Sequence, residues 1–89
     1  MTMPAEQHED QHDYKIVVNG REKTVLTDEL TFEGVLHLAF NPVPSGPNWV
    51  FTVTYRHAAG PRTHGTLVKG DTVKIKDGTV FHATATDKS

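Results

Sequence analysis

Apolar and polar residues alternate with a period of two over several stretches of this chain and with a helical period over one. Tyr14, Ile16 and Val18 share one face of a first predicted strand, with Lys15 and Val17 on the other. Asn19-Gly20 follows at once and residues 21–26 return, which predicts a β-hairpin whose two turn residues take positive φ. A glycine turn can also cradle an anion, but one glycine with no helix behind it is a weak phosphate signal. From Thr27 the period becomes helical: Thr31 suits an N-cap, Glu33 suits the first turn, and Phe32, Val35, Leu36 and Ala39 form an apolar stripe. His37 falls among them and reads as a partly exposed helix residue, not a catalytic base. Gly34 weakens the helix by about 1 kcal/mol relative to Ala, and its missing side chain suggests a close approach to a sheet. Residues 41–47, NPVPSGP, end the helix.

Residues 48–56 carry the clearest strand pattern. Trp49, Phe51, Val53 and Tyr55 alternate with Val50, Thr52, Thr54 and Arg56. An aromatic row can stack bases; without a basic groove it reads as core, because aromatics supply much of the buried area of a small domain. Residues 57–65, HAAGPRTHG, read as a surface loop holding His57, Arg62 and His64 with no third ligand at metal-binding spacing. Leu67 and Val68 make a short edge strand or turn, and Gly70-Asp71 reverses the chain. At the end, residues 73–76 and 80–86 alternate on either side of Asp77-Gly78, a dipeptide suited to a type I′ hairpin. The last strand is expected to be central to the fold. Ile16, Val18, Leu26, Val35, Leu36, Ala39, Phe51, Val53, Tyr55, Leu67, Ile75 and Phe81 should form one core.

The order β, β, α, β, short β, β, with one helix as crossover, predicts an α+β fold of β-grasp layout, a mixed sheet wrapped across the helix. Residues 14–86 make the domain, residues 87–89 a flexible C-terminal tail and residues 1–13 a flexible N-terminal tail. That first segment has almost no large apolar side chain and carries Glu6, Glu9, Asp10 and Asp13, so burial cannot repay the entropy of ordering it. His8 and His12 lie four apart, a helical metal spacing, but nothing there preorganises ligands.

Charge and composition remove several function classes. Nine basic and eleven acidic residues give a net charge of -2, no electrostatic case for nucleic acid or an anionic membrane. With no cysteine there is no disulfide, thiol nucleophile or thiolate metal site, which fits a reducing compartment. No apolar run approaches the ~18 residues of a membrane span, and a cytoplasmic protein is expected. Ser45 and Ser89, the two serines, are in no nucleophile-elbow context, no carboxylate pair marks a cleft, and the six histidines are scattered. An enzyme is not expected.

The segments Val17-Val18-Asn19-Gly20-Arg21, Leu38-Ala39-Phe40, Phe51-Thr52-Val53-Thr54-Tyr55, Gly65-Thr66-Leu67-Val68-Lys69-Gly70 and Lys76-Asp77-Gly78-Thr79-Val80-Phe81 resemble, in order and spacing, the bacterial multiubiquitin-type domain. The resemblance covers residue 14 to the end. It implies a ubiquitin-like fold and a protein modifier acting as a monomer. Its implied partners are a ubiquitin-activating-like enzyme, a conjugating-like enzyme, a metalloprotease of the JAB type and target proteins. The activating enzyme would adenylate the terminal carboxylate with ATP, and the acyl group would pass to a nucleophile as an isopeptide or ester. Catalytic residues and the nucleotide site belong to those partners, so the modifier itself needs no cofactor.

One departure from ubiquitin is plain. Ubiquitin ends in Gly-Gly, which threads a narrow channel to the adenylating site, whereas this chain ends Thr86-Asp87-Lys88-Ser89. Three readings stay open: the partners accept side chains there, a protease trims the end, or the chain is a non-conjugated interaction module. A sulfur carrier is disfavoured for the same reason. Thr86, Asp87, Lys88 and Ser89 are therefore the candidate conjugation terminus, with the carboxylate expected to be exposed and mobile. Ubiquitin's partners dock on the outer face of its sheet, and the corresponding positions here are Lys15, Val50, Thr52, Thr54, Lys74, His82 and Thr84, a mostly polar set.

Overall fold

A computed structural model describes residues 13–88. The expected N-terminal tail up to residue 12, with His8 and His12, and the terminal Ser89 lie outside those residues. Strands β1 (Tyr14–Val18) and β2 (Arg21–Val25) form the antiparallel hairpin, and Asn19 and Gly20 take φ of 52° and 81°. Both central residues are therefore in the left-handed region that a type I′ turn demands. Strand β4 (Trp49–Arg56) and strand β7 (Val80–Asp87) pair antiparallel over their full lengths, and β5 (Gly65–Leu67) lies at the far edge. The main sheet runs β2-β1-β7-β4-β5, with β1 and β7 parallel, so the last strand is its middle strand. This is the expected α+β β-grasp sheet, with helix α1 (Phe32–Ala39) against it.

The helix begins as its sequence specifies. Thr31 is extended, and its hydroxyl accepts the Gly34 N–H at 2.9 Å, satisfying one of the donors a helix start leaves unpaired. A Cβ built on Gly34 would meet that hydroxyl at 3.2 Å. The glycine makes room for the cap, not for the sheet, which corrects the expected close approach. Phe32, Val35 and Leu36 are buried on the core side, and His37 is exposed.

Three expectations are overturned. A three-residue strand, β3 (Glu29–Thr31), precedes the helix and pairs with β6 (Thr72–Lys74) in a separate two-stranded sheet. Ile75 N–H donates to Asp28 C=O (2.9 Å), and Ala59 N–H donates to Lys74 C=O (3.0 Å) on the other side of β6. The expected terminal hairpin does not form. Both edges of β7 are taken by β1 and β4, leaving β6 no edge to join. Asp77-Gly78 still turns the chain, but only Gly78 has positive φ, and the turn is tied to β1: Lys15 N–H donates to the Asp77 carboxylate (2.9 Å) and Gly78 N–H to Lys15 C=O (2.8 Å).

The core gains Leu30, Phe32, Ala58, Val73 and Ala83 and loses Leu26, which is 70% exposed beyond the end of β2. Arg21, Lys23 and Val25 face Val18, Ile16 and Tyr14 across the ladder, so Leu26 has the opposite parity. Ala39 and Phe51 are only partly buried. One polar side chain, Thr79, is fully buried; its hydroxyl donates to His57 C=O (2.9 Å) and accepts the Lys76 N–H (3.0 Å). The isosteric Thr79→Val would leave both backbone groups unpaired, and a loss of about 1 to 3 kcal/mol is expected in urea unfolding. A loss below a few tenths would show that neither bond stabilises the 57–64 loop.

Candidate functional site

The terminus and the outer face of the sheet are the two candidate sites, and β7 belongs to both. Thr86 pairs with Val50 and Asp87 with Trp49, while Lys88 N–H donates to Asn48 C=O at 2.8 Å. The expected tail of residues 87–89 is corrected at its first two members. A backbone ladder needs no apolar side chain, and β4 begins early enough to supply partners past the point where the alternation of β7 fades.

Register places Lys15 on the outer face of β1, Val50, Thr52 and Thr54 on that of β4, and His82 and Thr84 on that of β7. Thr52 is directly opposite Thr84, and Thr54 directly opposite His82. All six are exposed. Lys74 is not with them. It sits on β6 in the second sheet, which corrects its assignment to this face. Sequence reasoning missed Arg56, opposite Val80, and Thr66, opposite Thr54, which complete the face beside the predicted set. Parity along β4 could have marked Arg56, whereas Thr66 depends on a strand pairing that no local pattern specifies.

The outer face is shallow. Its one described depression, lined by Thr54, Arg56, Val80 and His82, is about 160 Å³, below the size of ordinary ligand pockets. It can read hydrogen bonds and charge but cannot enclose a small molecule. The inner aromatic row is divided: Val53 and Tyr55 are buried, while Trp49 and Phe51 stay partly exposed, their rings near-parallel with centroids 6.5 Å apart. His57, Arg62 and His64 are exposed in their loop, which is pinned by the buried Ala58.

Among the described residues no group of three or more His, Cys, Asp or Glu side chains is placed to hold a metal, and no helix is long and apolar enough to cross a membrane. The most distinctive polar feature is Asn19. Its side-chain amide donates to Ala83 C=O (3.0 Å) and its carbonyl accepts the Ala83 N–H (2.8 Å), while its backbone N–H donates to Phe81 C=O (3.0 Å). The side chain thus continues the β1–β7 ladder after the β1 backbone has turned away, and it aligns the strand that carries the terminus.

Comparison with curated proteins and with solved structures returned no match. The family model described as multiubiquitin matches residues 14–87, the whole span from the first strand to the last residue of β7. The chain belongs to the multiubiquitin family.

Proposed function

We propose that this chain is a ubiquitin-like protein modifier whose terminal carboxylate is activated by an adenylating enzyme. Family membership, together with a terminus that leaves the middle strand of the sheet, carries the reading. The carboxylate oxygen attacks the α-phosphate of ATP, a P–O bond forms and pyrophosphate leaves. A nucleophile on a conjugating partner or target then attacks the acyl carbon and displaces AMP. The chain supplies a substrate and a recognition surface; its partners supply the catalysis, and a protease that trims the end fits the same scheme.

Reach is the physical requirement. With Lys88 tied to Asn48, one residue projects beyond the last backbone bond, whereas release of residues 86–88 would extend the free end to four residues, roughly 13 Å at ~3.3 Å per residue. Activation therefore includes opening the last rungs of the β4–β7 ladder. The same ladder, with no Gly-Gly behind it, favours the second reading, a non-conjugated interaction module.

Intact mass after incubation with ATP and the adenylating enzyme encoded beside the chain separates these readings. The parent should form an adenylate or covalent adduct. Ser89→Trp should form at least ~10-fold less at an unchanged melting temperature, since catalysis by alignment is lost when the reacting end is misplaced. Deletion of Lys88-Ser89 should also lose the adduct. Equal adducts from all three would show that this is not the reactive end, absence of adduct from the parent would leave the module, and a gain of sulfur for oxygen would make it a sulfur carrier.

A further inference from the structure

On the helix side of the sheet, where the outer face has no counterpart, lies an open apolar groove of about 620 Å³ between α1 and the β4–β5 edge. Phe32 and Leu36 form its helix wall, Trp49 and Phe51 its floor, and Leu67 and Val68 its rim. Val68 is 54% exposed, one of the most exposed large apolar side chains among the described residues. Such a patch is costly to leave in water and marks a contact surface more often than chance. The charged residues beside it, Glu33 and Lys69, are of opposite sign, so a charged segment gains nothing there and a neutral apolar side chain fits best.

The position of the groove identifies what covers it. Trp49 is the ladder partner of Asp87, and Asn48, one residue before it, holds Lys88. By parity Asp87 is on the same face of the sheet as Trp49. A protein that draws residues 86–88 off β4 must therefore work directly at the Trp49 end of the groove. Contact with the groove would offset the cost of unpairing these rungs, because the same rigid surface would hold both the dock and the released end.

We propose, resting on the modifier reading above, that this groove is the docking site of the carboxylate-adenylating enzyme, which inserts an apolar side chain between Leu36, Phe51 and Val68 and opens the terminal rungs beside Trp49. The outer face is left free for other partners while the terminus is being activated.

The test uses the full chain, isotope-labelled, with the unlabelled adenylating enzyme encoded beside it. Without ATP, the enzyme should shift the indole signal of Trp49, the chain's single tryptophan, and the amide signal of Val68. With ATP, Val68→Asp should raise the enzyme's half-saturating modifier concentration at least ~10-fold, the scale of a hot-spot loss. Leu26→Asp, the same change at another exposed apolar residue, should alter it less than ~2-fold, as a site outside the contact does. Both variants should keep the parent's melting temperature, since each side chain is more than half exposed. Adduct formation that is indifferent to Val68→Asp overturns the docking site and leaves the modifier reading standing. If the parent gives neither adduct nor signal shifts, the modifier reading fails and the docking site with it.

Discussion

Phe81→Ala should destabilise the domain by about 3 to 5 kcal/mol, the range for deleting a buried aromatic ring. Phe81 is 1% exposed, and its strand is paired on both sides at that residue, with Val18 of β1 and Tyr55 of β4. The Tyr55 ring packs at a tilt with centroids 6.3 Å away, so the cavity would open between rings that the surrounding sheet holds in place. A domain of this size has roughly 4 to 11 kcal/mol in all at 0.05–0.15 kcal/mol per residue. The variant should therefore unfold at much lower urea concentration with an unchanged slope. Phe81→Leu, which refills most of the volume, should lose much less. A loss under ~1 kcal/mol for the alanine would be incompatible with a central, close-packed β7.

Asn19→Asp should also destabilise, and this separates two explanations of the residue. If Asn19 serves only the turn, aspartate is nearly as good, since both residues tolerate positive φ. If its side chain extends the ladder, the carboxylate keeps the bond from the Ala83 N–H but faces the Ala83 carbonyl with a second acceptor. The ladder explanation predicts a loss of about 1 to 3 kcal/mol near neutral pH. Asn19→Gly, which relieves the backbone and removes both bonds, should lose about 2 kcal/mol. Asn19→Ala should lose roughly 1 kcal/mol more for a Cβ in the left-handed region. Neutral behaviour of the aspartate variant in urea unfolding would reduce Asn19 to a turn residue. Because Ala83 is three residues before Thr86, the destabilised variants should also show faster amide exchange toward the end of β7.

Much of the fold was legible because it follows from local terms. The alternation of β4 marks Val53 and Tyr55 as inward and Thr52 and Thr54 as outward, and burial follows that parity. The Thr31 cap and the Asn19-Gly20 turn are set by side-chain and backbone chemistry within a few residues, so they read directly from the sequence. Where the signal was only three residues long it failed. Glu29-Leu30-Thr31 has one buried side chain, too few for a period, and it became a strand because β6 offered Val73 as the partner of Leu30.

Of the candidate site, the identities were legible and the grouping was not. Parity alone placed Lys15, Val50, Thr52, Thr54, His82 and Thr84 outward, but it placed Lys74 outward by the same rule and could not show that Lys74 belongs to another sheet. Likewise, the polar end of the chain read as a tail because side chains were the only evidence, whereas backbone bonds to Asn48 and Trp49 hold residues 87 and 88.

The sequence by itself determined the hairpin, the capped helix, the inward and outward faces of each long strand and the place of β7 in a β-grasp sheet. Each of these depends on residues close together in the chain or on a periodicity that water and burial act on directly. Tertiary structure alone decided which edge each short strand found, what Asn19's second hydrogen-bonding role would be, and that Trp49 would lie between an open groove and the end of the chain. Those outcomes turn on saturation: β7 has two edges, both occupied, and every remaining strand and polar group had to find its partner elsewhere.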